Sequence, residues 1–94
     1  MRDYEVIFIL QSDLEEAVAN GLVERVSTWI TEAGGAVQKV DRWGKRKLAY
    51  VIRKQREGNY VLVNAQMPPS FISELERNMR FQEPILRFLV TAAE

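Results

Sequence analysis

Apolar and polar positions alternate with a period of two in four stretches of the chain, and this pattern predicts four strands. The first stretch, Tyr4–Leu10, is apolar on both faces, which is typical of a strand in the middle of a sheet. The other strands are predicted at residues 36–54, with an interruption near Gly44, and at residues 60–67 and 85–91.

Between the first two strands the apolar positions recur every three or four residues, which predicts a helix. Ser12-Asp13-Leu14-Glu15 has the form of a capping box at its start, and Gly34-Gly35 is expected to end it. Gly21 lies inside the helix and is expected where the helix packs closely on the sheet. The predicted buried stripe consists of Leu14, Val18, Leu22, Val26, Trp29, Ile30 and Ala33.

The second half of the chain contains a predicted turn and a second helix. Arg56-Glu57-Gly58-Asn59 has turn-forming residues between two strand patterns, so a hairpin is expected to reverse there. Pro68-Pro69 is expected to end the third strand, and Ser70 is expected to cap the second helix. That helix would bury Ile72, Leu75 and Met79.

The order strand, helix, strand, strand, helix, strand predicts one α+β domain at residues 1–94. Two split strand-helix-strand units with right-handed crossovers give the ferredoxin-like βαββαβ fold. Its four-stranded antiparallel sheet has the order 4-1-3-2, with both helices on one face. The other face is left open, and its partly apolar surface suggests a binding partner. The apolar side chains expected there are Ile7, Ile9, Tyr60, Leu62 and Leu89.

Composition excludes several kinds of chemistry. The chain has no cysteine and no histidine, which excludes disulfides, thiolate or imidazole catalysis and the usual zinc sites. No glycine-rich phosphate loop precedes either helix, and the carboxylates are scattered. We therefore expect no enzyme, cofactor, metal or small-molecule substrate. Neither a signal peptide nor a membrane-spanning stretch is recognisable, so a soluble cytoplasmic protein is expected.

The charges are unevenly distributed although the formal net charge is zero. Residues 39–56 contain eight cations, including every lysine of the chain, and the single acid Asp41. Such a basic segment is expected to deliver positive charge to a partner that carries phosphates. The alternative is a solvated edge strand whose lysines prevent strands of other molecules from pairing with it.

The segment Gly44-Lys45-Arg46-Lys47-Leu48-Ala49-Tyr50-Val51-Ile52-Arg53 resembles the signature of the bacterial ribosomal protein S6 family, the sixth protein of the small ribosomal subunit. Further similarities lie at residues 1–2, 4–6, 35–40 and 66–68, at Arg80 and at residues 85–90. The resemblance implies a structural constituent of the ribosome that binds the central domain of small-subunit (16S) ribosomal RNA together with ribosomal protein S18. Many family members continue into a charged tail, whose function we expect this chain to lack.

The candidate residues follow from the resemblance and the basic segment together. RNA phosphates are expected at Lys45, Arg46, Lys47, Arg2, Arg53, Lys54, Arg80 and Arg87. The partner protein is expected at Ile7, Ile9, Tyr60 and Leu62. Tyr50 lies two positions from both Leu48 and Ile52, hence on the same side of the strand, and is expected in the core with them. Trp43 is expected to cover the hairpin rather than to stack on RNA.

Two alternatives use the same fold. An RNA-recognition module that stacks single-stranded bases would need aromatic side chains on the open face of the first strand, where this chain has Ile7 and Ile9. A small-molecule sensor domain would need a dimer interface and a ligand crevice, and the sequence indicates neither.

Overall fold

The computed structural model describes residues 1–93, so Glu94, the last residue of the predicted domain, lies outside the described residues. The strands and helices follow in the predicted order. They are β1 (Arg2–Gln11), α1 (Glu16–Glu32), β2 (Ala36–Ile52), β3 (Gln55–Met67), α2 (Ile72–Arg80) and β4 (Ile85–Ala92), with a 3-10 turn at Pro69–Phe71. All neighbouring strands are antiparallel and their order is β2-β3-β1-β4, which confirms the predicted ferredoxin-like sheet.

The hydrophobic core lies between one face of the sheet and the two helices. Val6, Phe8 and Leu10 of β1 are completely buried, whereas their neighbours Ile7 and Ile9 lie half-buried on the other face. This alternation is the one that the sequence pattern predicts for a strand covered by helices on one side only. The helices contribute Ala19, Leu22, Val26, Ile30, Leu75 and Met79 to the core, and β3 contributes Val61, Val63, Ala65 and Met67.

Three details of the predicted first helix are wrong. Helix α1 begins at Glu16, and Glu15 at its N-cap makes no side-chain capping bond; the Ser12 hydroxyl instead lies 3.4 Å from the Gln55 Oε1. Val18 is 46% exposed, because the buried stripe runs through Ala19 and not through its neighbour. A methyl group on Gly21 would meet nothing within 4 Å, so this glycine does not serve close packing on the sheet.

The end of α1 follows the prediction. Gly34 has a φ of +90°, the left-handed conformation in which glycine is favoured. The next residue, Gly35, donates its backbone N–H to the Ile30 carbonyl oxygen at 2.9 Å and passes very close to β3. A Cβ atom at Gly35 would lie 2.3 Å from the Gln66 carbonyl oxygen, so the first residue after the turn also needs to be glycine.

The second helix begins later than the sequence suggests. Ser70 lies in the 3-10 turn, where the Phe71 N–H donates to the Pro68 carbonyl oxygen at 2.9 Å, and Phe71 rather than Ser70 is the N-cap of α2. No side chain of residues 1–93 caps α2, so the predicted Ser70 cap is wrong. Leu75 and Met79 are buried as predicted, and the half-buried Ile72 packs at the edge of the core.

The β2–β3 hairpin reverses at Arg53-Lys54 and not at residues 56–59. Both turn residues have positive φ angles, 48° and 66°, which favour the primed turns of tight hairpins. Gly58 is a buried strand residue that pairs with Arg46. It needs to be glycine because β1 leaves no room for a side chain there. The predicted irregularity at Gly44 is confirmed as a bulge with a φ of +83°, although β2 continues through it.

Candidate functional site

The outer part of the hairpin, residues 45–57, is rich in cations and is called the basic arm below. Its six cationic side chains are all exposed: Lys45, Arg46, Lys47, Arg53, Lys54 and Arg56. The first three of these cations, Lys45, Arg46 and Lys47, form no salt bridge within residues 1–93. Arg42, just before the bulge, differs from them because it pairs with Glu16 of α1 at 3.2 Å and also donates to the Asn20 Oδ1.

Successive cations of the arm point to opposite sides of the sheet. Arg46 pairs with Gly58 and its guanidinium lies over the ring of Trp43, on the face that the helices leave open. Its neighbours Lys45 and Lys47 have the opposite parity and therefore point to the other side. Because β2 is an edge strand, this alternation surrounds the edge with positive charge instead of concentrating it on one face.

The arm crosses the end of the sheet and contacts β4 and the loop before it. Arg53 donates a hydrogen bond of 2.7 Å to the Glu83 carbonyl oxygen, and the Arg87 guanidinium lies 5.7 Å from the Tyr50 ring centroid. Leu48 is nearly buried where the arm passes Gly58. These contacts bring Arg87 of β4 to the cations of the arm.

The prediction that Tyr50 belongs to the core is wrong. Its side chain is 56% exposed, although it shares the parity of the nearly buried Leu48. Parity places the two residues on the same side of the strand, but this side is the open face and no helix covers it. Tyr50 instead contacts Arg87 across the end of the sheet as a cation–π partner.

The two remaining candidate cations lie outside the arm. Arg2 is paired with Met67 at the other end of β1, seven residues or roughly 23 Å along the strand from Ile9. Arg80 ends α2, and its guanidinium lies 5.8 Å from the Phe88 ring centroid. The structure therefore brings Arg87 to the cations of the arm, whereas Arg2 lies at the other end of the sheet; the arm cations among the candidates are Lys45, Arg46, Lys47, Arg53 and Lys54.

The open face of the sheet carries the predicted apolar side chains in two adjacent rows. One row joins Leu62, Ile7 and Leu89 across β3, β1 and β4, and Leu89 is 57% exposed. The next row joins Tyr60 and Ile9 and ends on Arg87. A shallow depression of about 230 Å³ is lined by Ile7, Ile9, Arg87, Phe88 and Leu89.

An aromatic pair at the β2 edge of this face was not foreseen from the sequence. The rings of Trp43 and Tyr60 are nearly parallel, with 12° between their planes and 6.2 Å between their centroids. The Arg46 guanidinium lies 5.3 Å from the Trp43 ring centroid. The combination of a bulge at Gly44 with an adjacent tryptophan is a signal that could have indicated it, because bulges redirect side chains.

Neither a metal-binding cluster nor a membrane-spanning helix is present in the part of the chain that the structure describes. Among residues 1–93, no three carboxylates converge in a group that could hold a metal ion. None of the helices over the same range is long and apolar enough to cross a membrane.

Comparison with known proteins gives consistent matches over nearly the whole chain. The model of the family described as ribosomal protein S6 matches residues 3–92. The small ribosomal subunit protein bS6 of Moorella thermoacetica is 44% identical over 94 residues, which cover 100% of this chain and 96% of the relative. The protein of the same name from Caldanaerobacter subterraneus subsp. tengcongensis is 47% identical over 90 residues, which cover 96% of this chain and 95% of the relative.

A solved structure agrees with the fold. The crystal structure of 30S ribosomal protein S6 from Thermotoga maritima superimposes with a TM-score of 0.92 at 35% sequence identity. The match covers 98% of this chain and 87% of that one, so it includes both helices, the whole sheet and the basic arm.

Proposed function

This chain belongs to the ribosomal protein S6 family, and on that premise we propose that it binds the central domain of 16S ribosomal RNA jointly with ribosomal protein S18. As a family member it is a structural, non-enzymatic component of the small ribosomal subunit, and it therefore resides in the cytoplasm. The proposal assigns two different surfaces to the two partners: the basic arm to RNA and the open face of the sheet to S18.

The RNA surface is assigned mainly because the cations of the arm are exposed and lack carboxylate partners within residues 1–93. Cations without internal partners can displace counterions from phosphates, and this release drives most of the electrostatic binding to RNA. Arg87 is held beside the arm by Tyr50 and extends the same surface. Arg2 would serve another phosphate, since it lies at the other end of β1, and Arg80 would contact phosphate from the end of α2.

Phosphate contacts position a protein without reading the base sequence. Specificity for one region of the ribosomal RNA must then come largely from the shape of the folded RNA, which presents its phosphates at particular spacings. The alternating directions of Lys45, Arg46 and Lys47 suit such a target, because an edge strand with cations on both sides fits between two RNA backbones.

The S18 surface is assigned from the open face and from the charge of the rest of the chain. The rows containing Leu62, Ile7 and Leu89 present apolar side chains that nothing covers within residues 1–93. Outside residues 39–56 the chain has twelve acids and five cations. An acidic balance of this kind complements a basic protein such as S18, and charge complementarity favours association of the correct partners.

Binding measurements with both proteins test the proposal. A fragment of 16S RNA that contains the central domain is titrated with this chain, with S18 and with an equimolar mixture. We expect the mixture to bind far more tightly than either protein alone, because the two proteins together present a larger surface. A mixture that binds no more tightly than S18 alone would contradict the proposed function.

A further inference from the structure

We propose that Trp43, with Tyr60 beside it and Arg46 over it, forms a stacking site for an unpaired nucleobase of RNA. The inference rests on the proposed function, since it adds a base contact at the β2 edge of the open face, next to the basic arm that is assigned to phosphates. It concerns a side chain that the sequence pattern assigned to covering the hairpin.

The bulge at Gly44 places Trp43 on the open face. The β2–β3 register passes from Arg42 opposite Val61 to Gly44 opposite Tyr60, so Trp43 is the extra residue without a partner on β3. Gly44 adopts the left-handed conformation that this bend requires. Gly44, the residue opposite Tyr60, has no side chain, and the ring of the neighbouring Trp43 lies beside Tyr60 instead.

The orientation of the indole is held at its edge while its surface stays accessible. Trp43 Nε1 donates to the Asp41 Oδ2 at 3.3 Å, which occupies the only polar atom of the ring. The 6.2 Å between the Trp43 and Tyr60 centroids exceeds the separation of rings that overlap face to face, so the two parallel rings are displaced sideways. Tyr60 therefore leaves much of the indole surface for another planar group, and Trp43 is 39% exposed.

Trp43 does not serve the hydrophobic core. The core and the side chains packed against it include the other tryptophan, Trp29, but neither Trp43 nor Tyr60. Trp43, which is 39% exposed, and the half-buried Tyr60 extend the apolar rows of the open face, and contiguous apolar surface of this kind marks interaction sites. The protein thus contains one structural tryptophan and one that is placed at the surface.

The surroundings favour RNA over a protein as the occupant. Arg46 lies over Trp43 on the open face, and Lys45 and Lys47 lie next to Arg46 on the same edge strand but point to the other side. A base stacked on Trp43 would place its own phosphate beside Arg46, and Arg46 can stack on a base as well as pair with a phosphate. Aromatic rings and arginines at the edge of a positively charged surface are the usual elements of single-strand recognition.

Three variants test the site on the complex of the full chain, S18 and the central-domain RNA fragment. We expect Trp43→Ala to lower RNA affinity roughly 5- to 150-fold, the range found for removal of one base stack. Trp43→Phe should restore most of the affinity because it retains an aromatic face. Trp43→Leu provides the matched control: it would still cover the hairpin but cannot stack, and it should bind as weakly as Trp43→Ala.

The salt dependence separates stacking from charge. The slope of log affinity against log salt should be the same for Trp43→Ala and the unmodified chain, because a stack releases no counterions. Melting curves of the free variants show whether a loss of affinity arises from unfolding. If Trp43→Ala lowers the melting temperature, the comparison of Trp43→Phe with Trp43→Leu, at matched stability, still decides the question.

Each outcome has a definite meaning. Trp43→Ala and Trp43→Leu that bind RNA as well as the unmodified chain would overturn the stacking site and leave the proposed function intact. If the unmodified chain and S18 do not bind the RNA, both proposals fail. If the two variants weaken binding to S18 in the absence of RNA, Trp43 contacts the protein and the nucleobase inference is wrong.

Discussion

Gly58 and Ile9 lie so close together that a Cβ atom at position 58 would be 2.3 Å from the Ile9 Cγ2 and 3.2 Å from the Leu10 carbonyl oxygen. The Ile9 Cγ2 is attached directly to its Cβ, so it can move away only if the whole side chain rotates. We predict that Gly58→Ala lowers the free energy of unfolding by about 1–3 kcal/mol, the usual cost of overpacking. Urea unfolding followed by circular dichroism measures this change.

Gly21→Ala is the matched control for that experiment. A methyl group there meets nothing within 4 Å, and alanine is favoured over glycine in a helix interior by about 0.5–1 kcal/mol. We therefore predict that Gly21→Ala raises the free energy of unfolding by about this amount. Equal effects of the two substitutions would show that Gly58 is not in close contact with β1.

The hairpin turn provides a second prediction about stability. Arg53 and Lys54 both have positive φ angles. This conformation raises the free energy of a residue that has a Cβ atom, whereas glycine adopts it without that cost. We predict that Lys54→Gly stabilises the protein by about 0.5–1 kcal/mol, and hence raises the melting temperature by roughly 2–8 °C for a domain of this size. Differential scanning calorimetry is the direct measurement.

Lys54→Ala separates the backbone effect from the loss of charge. Alanine removes the ammonium group but retains the conformational cost, so this variant should melt close to the unmodified protein. A gain in stability that is the same for alanine and glycine would arise from reduced charge repulsion in the arm. The backbone explanation would then be wrong.

The open face can be tested through its most exposed apolar side chain. Leu89→Glu should leave the free protein folded, because the side chain is 57% exposed, and should weaken S18 binding by about 2–4 kcal/mol if the partner buries an unpaired carboxylate there. Val18→Glu, on α1 and 46% exposed, makes the same chemical change on the helix layer and should not alter binding. Titration calorimetry measures the affinity of each variant for S18. If Leu89→Glu binds S18 as tightly as Val18→Glu does, the partner does not bind the open face.

The fold was predictable because the local signals agree with one another. The alternation around Phe8 and the helical spacing around Val26 each placed their residues correctly in the core. The errors occurred where a local pattern has two meanings. Gly58 with its neighbour Asn59 is typical of a turn, but here glycine is required by the close approach of β1, which only the assembled sheet reveals.

The candidate site was less predictable for a related reason. The alternation along the strand correctly placed Tyr50 and Leu48 on one face of the sheet. It does not show whether other residues cover that face at the end of the arm, where Tyr50 is exposed. The stack of Trp43 on Tyr60 depends on the β2–β3 register, and the bulge that sets this register shifts the pairing by one residue. A sequence pattern shows where cations occur, whereas the strand pairing decides that Arg87 joins the arm and that Arg2 does not.

Binding of RNA phosphates by the basic arm predicts a specific salt dependence. Lys45→Gln, Arg46→Gln and Lys47→Gln together remove three exposed cations and leave the apolar contacts of Leu48 unchanged. Each phosphate neutralised contributes roughly 0.7–0.9 to the slope of log affinity against log salt. Arg77→Gln, an exposed cation in the last turn of α2, serves as the control for loss of charge elsewhere.

The most direct measurement is therefore the affinity of the chain with S18 for the central-domain RNA fragment at several salt concentrations, together with melting curves of the free variants. We predict that the triple variant melts normally and that its slope is flatter by about two units. The slope of Arg77→Gln should equal that of the unmodified chain. A triple variant with a normal melting curve and an unchanged slope would contradict phosphate binding by the basic arm, which would then be only a solvated edge strand.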